Sequence, residues 1–312
     1  MNNIESFILS TLSATVRAGT PLLFAVLGTI FTERSGVMNL GLEGLMLVGA
    51  IGGFVASYQT SNLLLAILVA MLAGAVLGLV HAFFTVTLRV NQIVSGLAIT
   101  MLGTGLSGLW GRDYIGVIAK RFQPIRIPVL SDIPYLGQIL FSHDLLVYIS
   151  FLLVPVMWFF IYKTRPGLTL RAVGESPDAA DAKGINVFAV RYIYTILGGS
   201  ITAIGGAYLS LAYNSMWIEN MTAGRGWIAI ALVLFATWDP VKALIGAYLF
   251  GGITALGLRL QAVGAHVSPD FLKMLPYLLT IVVLFFTSTD TLKRKVGAPA
   301  SLGVPYSREE RT

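Results

Sequence analysis

KTRPGLTLRAVGESPDAADAKGINVFAVR, residues 163–191, is the longest polar break near the middle of an otherwise apolar chain. It holds five cations (Lys163, Arg165, Arg171, Lys183, Arg191) and three anions (Glu175, Asp178, Asp181). A short-helix signature sits inside it. Ser176 is placed to cap, Pro177 fits the first helical position, and Asp178 favours the positive end of the helix dipole. Ala-Ala-Asp-Ala-Lys then propagates, Lys183 suits the negative end, and Gly184 supplies a left-handed stop. Two capped turns held between apolar segments make a handle by which a soluble motor could grip a membrane pore. The other reading is an ordinary loop with one isolated helical turn.

The surrounding composition fixes the class. The 312 residues are 56% hydrophobic and 12% charged, with mean hydropathy +0.80. A soluble domain carries about 25% charged residues. Apolar segments lie near Phe7–Phe31, Leu42–Tyr58, Leu63–Leu88, Ile93–Gly111, Leu145–Tyr162, Phe188–Tyr213, Trp227–Trp238, Val241–Leu258 and Met274–Thr289. They are too long and numerous for one buried core. The expectation is an all-α polytopic membrane helix bundle, one transmembrane domain over residues 1–312, with about nine apolar segments, eight to ten spans and some broken helices. A bilayer core needs about 20 helical residues, so Trp227–Trp238 either begins earlier, around Ala223, or is a half-helix. The 33 glycines suit helices that pack closely in lipid. With no Cys, disulfides and thiolate metal sites are excluded. The N-terminal MNNIES lacks a basic region, so no cleavable signal peptide is expected.

Orientation follows from the cations. With Lys163–Arg191 in the cytoplasm (cytoplasmic loop 163–187), the tail 291–312 is also inside, as are Arg34, Arg89 and Lys242. That gives 13 Lys/Arg inside against 7 outside, with Arg17 inside the first apolar segment. The long extracytoplasmic loop 112–144, with Pro124, Pro128 and Pro134, is either a surface for an external partner or an ordered lid. For Arg17 the favoured account is an interfacial stretch Asn3–Val16 followed by a separate helix from near Thr20; the other is a buried, paired Arg. TERSGVMNLGLEG (32–44) reads equally as a tight cytoplasmic turn or as an unwound break within the membrane. GLMLVGAIGG (44–53) and ALIGAYLFGG (243–252) suggest a weak internal repeat with both copies in the same orientation.

Several chemistries find no support. No phosphate-binding GxxxxGK[ST] loop is present, so the chain does not bind and hydrolyse ATP in that manner by itself. His81, His143 and His266 are far apart and lack metal-ligand spacing. Paired carboxylates are absent from the spans, leaving Glu33 and Glu43 as the only candidates for proton coupling. The scattered cations form no basic stripe for nucleic acid.

LTLRAVGESPDAADAKGINV (168–187), followed by LGGSITAIGGAYL (197–209), resembles the coupling segment of permeases in bacterial ABC importers of the ribose and branched-chain amino-acid permease family. Within it, ERSGVMNLGLEGLMLVGA (33–50), NQIVSGLAI (91–99) and PASLGVPYSREER (299–311) are similar to the simple-sugar/nucleoside branch. The chain departs from the family at Thr100, where members often carry Asn. The resemblance implies a multi-pass subunit of the bacterial cytoplasmic (inner) membrane that performs no chemistry on its substrate. It implies no cofactor on this chain, with ATP and Mg at a partner ATPase. That ATPase would be two copies or one tandem-domain protein. The other implied partners are a second permease subunit, favoured as a paralogue, and an extracytoplasmic substrate-binding lipoprotein. In that picture Ser176–Gly184 is the coupling helix, with Arg171–Glu175 as lead-in. Ala179, Ala180 and Ala182 allow close approach, Asp178, Asp181 and Lys183 set register, and Gly174 lies at its base.

The favoured cargo is a nucleoside, carried by alternating access. A nucleoside path combines aromatic faces with amide or carboxylate groups for ribose hydroxyls. Asn39 and Glu43 are the first candidates, with Asn91, Gln92, Asn214 and Trp227 beside them. For each the plainer role is a helix cap, a helix–helix hydrogen bond or, for Trp227, an interfacial anchor. The alternatives are a permease for a simple sugar such as ribose and, from another class, a stand-alone channel or secondary transporter.

Overall fold

The computed structural model describes residues 3–262 and 297–308, with isolated positions from 268 to 285 between them. Its helices are α1 (Asn3–Arg34), α2 (Leu42–Thr60), α3 (Leu63–Ala82), α4 (Gln92–Gly111), α5 (Leu136–Leu140) and α6 (Leu145–Lys163). They continue with α7 (Arg165–Glu175), α8 (Pro177–Ala182), α9 (Val187–Tyr208), α10 (Arg225–Ala236) and α11 (Pro240–Ala262). Short π-helical turns, Phe83–Thr87 and Leu209–Tyr213, extend α3 and α9. A two-residue ribbon pairs β1 (Ile125–Arg126) with β2 (Ser142–His143), antiparallel.

Local chemistry sets where the helices begin. Asn62, Asn91 and Asp144 each accept two backbone N–H bonds, opening α3, α4 and α6. Asn186 opens α9 with a single such bond, from Ala189 N–H. Seven helices, α1–α4, α6, α9 and α11, are long and apolar enough to cross a membrane. Eight of the nine expected apolar segments are helices among the described residues, and the expected eight to ten spans are not confirmed there. At 12 residues, α10 is the half-helix its length suggested, and Met274–Thr289 falls largely outside those described.

Helix α1 is continuous for 32 residues, with Pro21 inside it. The expected break between an interfacial stretch and a helix from Thr20 does not occur. The reason is that this end of α1 is sheltered: α5 packs on it. Arg17 lines a polar recess with Ser13, Arg121, His143 and Asp144, so its cation stays in polar surroundings.

Glycines bring the helix axes together. Helix α9 is the central member, packing along α1, α2 and α3, while α11 packs along α1. At the α1–α9 crossing a Cβ on Gly198 would run into Thr32 and the Gly28 carbonyl. At α3–α9 a Cβ on Gly199 would sit 2.5 Å from the Gly74 carbonyl oxygen. At α1–α11 a Cβ on Gly251 would sit 2.5 Å from Gly19 N. Such contacts drive helix association where no hydrophobic effect operates between spans.

The crossings show an internal correspondence different from the expected one. Chain order α1, break, α2, α3 matches α9, break, α10, α11 with direction reversed. Helix α3 lies antiparallel beside α9, and α11 lies antiparallel beside α1. The stretches 44–53 and 243–252 therefore sit in non-equivalent helices, α2 and α11; their likeness is one of small-residue composition.

Gly206 lies against the Met46 carbonyl at the α2–α9 contact. Gly206→Val is expected to destabilise the fold by about 1–3 kcal/mol through overpacking, read as a lower unfolding temperature of the purified protein in detergent. An unchanged unfolding temperature contradicts the packing described.

Candidate functional site: the interior break and the α7–α8 end

Residues 35–41 leave α1 at the end of the bundle that carries α7 and α8, and climb inside it. Successive residues meet successive turns of α4. Met38 N–H donates to Gln92 Oε1 (2.6 Å). Leu40 lies where a Cβ on Gly96 would be 2.6 Å from its N. Gly44 lies against Gly103. Gly41, the cap of α2, lies against Ile99, seven positions along α4 from Gln92, so α2 begins ~10 Å above the foot of α4. The stretch 32–44 is therefore the interior break and not a tight turn at the bundle's end.

An irregular chain at that depth must satisfy its backbone from side chains. His81 Nε2 lies 3.0 Å from Met38 O, and His81 Nδ1 lies 2.9 Å from Ser95 Oγ. Asn39 Oδ1 accepts from Gly41 N–H (2.8 Å). Thr100 Oγ1 donates to Leu40 O (3.1 Å), so this hydroxyl serves the backbone of the break. Two donors are left over. Asn39 Nδ2 and Gln92 Nε2 are buried with no hydrogen-bond partner among the described residues.

Glu43, in the first turn of α2, reaches across to the second break. Its Oε1 accepts from Thr222 Oγ1 (2.5 Å) and Gly224 N–H (2.8 Å), and its Oε2 from Gly226 N–H (2.7 Å). The carboxylate thus caps the start of α10, satisfying N–H groups that have no partner within that helix. The other end of α10 is also tied to α1. Trp238 Nε1 donates to Glu33 Oε2 (2.6 Å), and Arg34 donates to Trp238 O (3.2–3.3 Å) and Tyr162 Oη (3.3 Å).

The six path candidates are not all brought together. Asn39, Gln92 and Glu43 line the break, Glu43 with its carboxylate occupied by α10. Asn91, exposed, caps α4. Asn214 follows the π turn of α9, and Trp227 is a partly exposed residue of α10. Sequence reading missed Ser95, Thr222 and Trp238, and gave no partners for His81 and Thr100. Their roles depend on partners tens to hundreds of residues away, for which a single sequence carries no signal.

At the α7–α8 end, Pro177 opens α8 and Gly184, at φ +82°, stops it. Ser176 holds the cap position, but its hydroxyl makes no cap bond, contrary to expectation. The lead-in Arg171–Glu175 is the last part of a full helix, α7. Glu175, Ser176, Asp178, Ala179, Ala182, Lys183 and Gly184 are exposed. Ala180 is not on that face. It is buried with Val173, Val187 and Tyr306. Asp181 is also turned inward, where its carboxylate accepts from Arg308 (2.6 Å to Nη2). That carboxylate holds the Arg308 guanidinium above its ordinary range. Gly174 lies against the Arg34 carbonyl, and the Arg171 guanidinium covers Tyr162.

At the opposite end the 112–144 loop is ordered around the small ribbon, with Tyr148 Oη donating to Ile125 O (2.8 Å). Burial pushes the His143 imidazole below its ordinary range and the Asp144 carboxyl above its own. Among the described residues no group of three or more His, Cys, Asp or Glu could hold a metal ion.

Residues 11–284 match the family described as branched-chain amino acid transport system / permease component. The chain is 41% identical to TsgC13 of Haloferax volcanii, named provisionally as a glucose ABC transporter permease protein, over 97% of this chain and 99% of that one. It is 36% identical to the guanosine ABC transporter permease protein NupQ of Bacillus subtilis, covering 96% of each. It is 34% identical to the nucleoside ABC transporter permease protein NupC of Lactococcus lactis, over 93% and 94%.

Thr222→Val keeps the side-chain shape but removes one donor to Glu43. It is expected to cost about 1.5–3 kcal/mol, the range for a hydrogen bond to a charged group, with Thr222→Ser close to wild type. Chemical or thermal unfolding in detergent checks this; equal stability of the Val and Ser variants contradicts the clamp.

Proposed function

Because the chain belongs to the family of branched-chain amino acid transport system permease components, we propose that it is the membrane subunit of an ATP-driven importer whose cargo is a nucleoside. The observation that carries the reading is α8: a short, sharply bounded helix at one end of the bundle, with Asp178, Ala179, Ala182 and Lys183 exposed. Small side chains allow close approach of a partner groove, and the flanking charges set register. In this reading α8 faces the cytoplasm as the main feature of a coupling loop at 163–187. The loop 112–144 faces outward, toward a substrate-binding lipoprotein. Residues 297–308, which lie at the same end as α8, are on the cytoplasmic side. ATP and Mg bind a partner ATPase, supplied as two copies or as a tandem protein, and this chain binds neither. A second permease, a paralogue, completes the pore of a multi-pass assembly in the cytoplasmic membrane. Closure of the ATPase pair moves α8, and the movement switches the path between its two openings.

The path runs beside the interior break. Asn39 and Gln92 offer unpartnered amide donors there, suited to the hydroxyls of a ribose. Glu43 supports the path from behind by fixing α10, while Asn91, Asn214 and Trp227 stand at its margins. The relative named for glucose favours a second reading, a sugar as cargo. Both cargoes share the hydroxyl-rich ring that these amides would meet, and competition by guanosine, uridine, ribose and glucose for uptake separates the readings.

Ala179→Trp places an indole on the exposed face of α8. Expected outcomes are loss of ATPase co-purification and of ATP-driven uptake, with an unchanged unfolding temperature; retention of both contradicts the docking role. Asn39→Ala and Gln92→Ala are expected to slow uptake about tenfold, the worth of one good polar contact, with the ATPase still bound. Wild-type uptake by both variants removes the break from the path.

A further inference from the structure

Residues 297–308 cross the α7–α8 end as an irregular strap with a turn at 300–303, pinned at four places. Ser301 N–H and Oγ both donate to Gly174 O at the end of α7 (2.9 and 2.7 Å). Gly303 N–H donates to Gly36 O, at the foot of the interior break (3.3 Å). Arg191 of α9, 1% exposed, donates to Val304 O (3.1 Å) and Ser301 Oγ (3.3 Å). Arg308 grips both carboxylate oxygens of Asp181 in α8, at 2.6–3.1 Å.

The two ends of the strap serve different elements. Tyr306 is buried, stacks obliquely on Phe188 (5.5 Å between ring centroids) and forms the floor under Ala180. A helix as short as α8 is unstable by itself in water, so its orientation is imposed by what it rests on: α7, α9 and the strap. At the other end the strap lies against the break. Gly36 has φ +88°, and a Cβ there would sit 2.5 Å from Ser301 Oγ and 2.9 Å from Arg191 Nη2. Leu302 packs on the main core, and a Cβ on Gly303 would reach Met38 Cε at 3.6 Å. Only four residues of chain, 304–307, therefore separate the Gly36 contact from the Asp181 contact. Arg191 fixes the middle. A buried guanidinium is costly unless its donors are met, and two of its donors end on the strap.

We infer that the strap 297–308 is the link by which displacement of α8 reaches the interior break, with Arg191 and Arg308 as its positioning residues. This rests on the docking role proposed for α8. In that role α8 is pushed from outside by the ATPase, and the strap is the covalent segment that touches both α8 from behind and the foot of the break. The Asp181–Arg308 pair transmits the push because the Asp181 side chain is 4% exposed, although Arg308 itself is 64% exposed. An ion pair exposed on both sides would be too weak to do so.

The test uses the full transporter, with ATPase, second permease and binding protein, reconstituted in liposomes. ATP hydrolysed per molecule of cargo taken up is measured for wild type, Arg308→Ala, Arg308→Lys and a chain truncated after Ala298. Arg308→Ala is expected to keep the ATPase bound and hydrolysing while ATP per cargo rises about fivefold, within the range for residues on a coupling route; the truncation, which also removes Tyr306 from beneath Ala180, raises the ratio at least as far. Arg308→Lys recovers most of the coupling. A wild-type ratio for Arg308→Ala and for the truncation overturns the inference and leaves the strap as packing alone. Loss of ATPase binding in Arg308→Ala also overturns it, since the strap would then be part of the dock. Failure of the wild-type chain to bind an ATPase would instead sink the docking role itself.

Discussion

The carboxylate of Glu43 holds the two broken regions of this bundle against each other. It stands at the start of α2 and accepts from Thr222, Gly224 and Gly226 at the start of α10. A helix that begins inside a membrane protein exposes N–H groups to surroundings that cannot solvate them. Glu43 meets that need across a separation of about 180 residues, with the favourable sign for a helix N-terminus. The far end of α10 is fixed to α1 through Glu33, Arg34 and Trp238. The half-helix is therefore tied at both ends to the elements that flank the first break.

This arrangement gives the function a physical basis. Unwound chain inside a bundle is tolerated where side chains satisfy its backbone, and His81, Gln92, Asn39 and Thr100 do so here. The amides of Asn39 and Gln92 are each half used, leaving donors in a region otherwise made of apolar side chains. The family, shared with permeases named for nucleosides and for glucose, makes transport the natural use of such groups. The exposed face of α8 and the strap behind it lie at the end where α1 enters the break, so a force applied there has a short route to the interior.

Much of this was legible from residues alone, and the parts that were not share a cause. Pro177 and Gly184 marked the ends of α8 because caps and stops act within a few residues. The length of Trp227–Trp238 left either an earlier start around Ala223 or a half-helix, since a bilayer sets a minimum, and α10 is the 12-residue half-helix. Besides the Ser176 cap bond, three readings went astray. Arg17 suggested a helix boundary, but shelter from the 112–144 loop lets α1 continue. Ala180 and Asp181 read as part of a docking face, yet a six-residue helix has no periodic pattern from which its buried side can be told, and Tyr306 and Arg308 from the far terminus decide it. The repeat was sought in two Gly/Ala/Leu stretches, when the true correspondence is one of chain direction. Each miss involves a partner distant in sequence.

The central claim is that this bundle moves its cargo only when an ATPase drives α8. The most direct measurement is uptake of radiolabelled guanosine into liposomes holding the wild-type chain, with and without its ATPase, second permease, binding protein and ATP. The account predicts uptake that requires all of them and stops when ATP hydrolysis is blocked. Equal uptake by the purified chain alone, driven by an ion gradient in the absence of ATP, would contradict it.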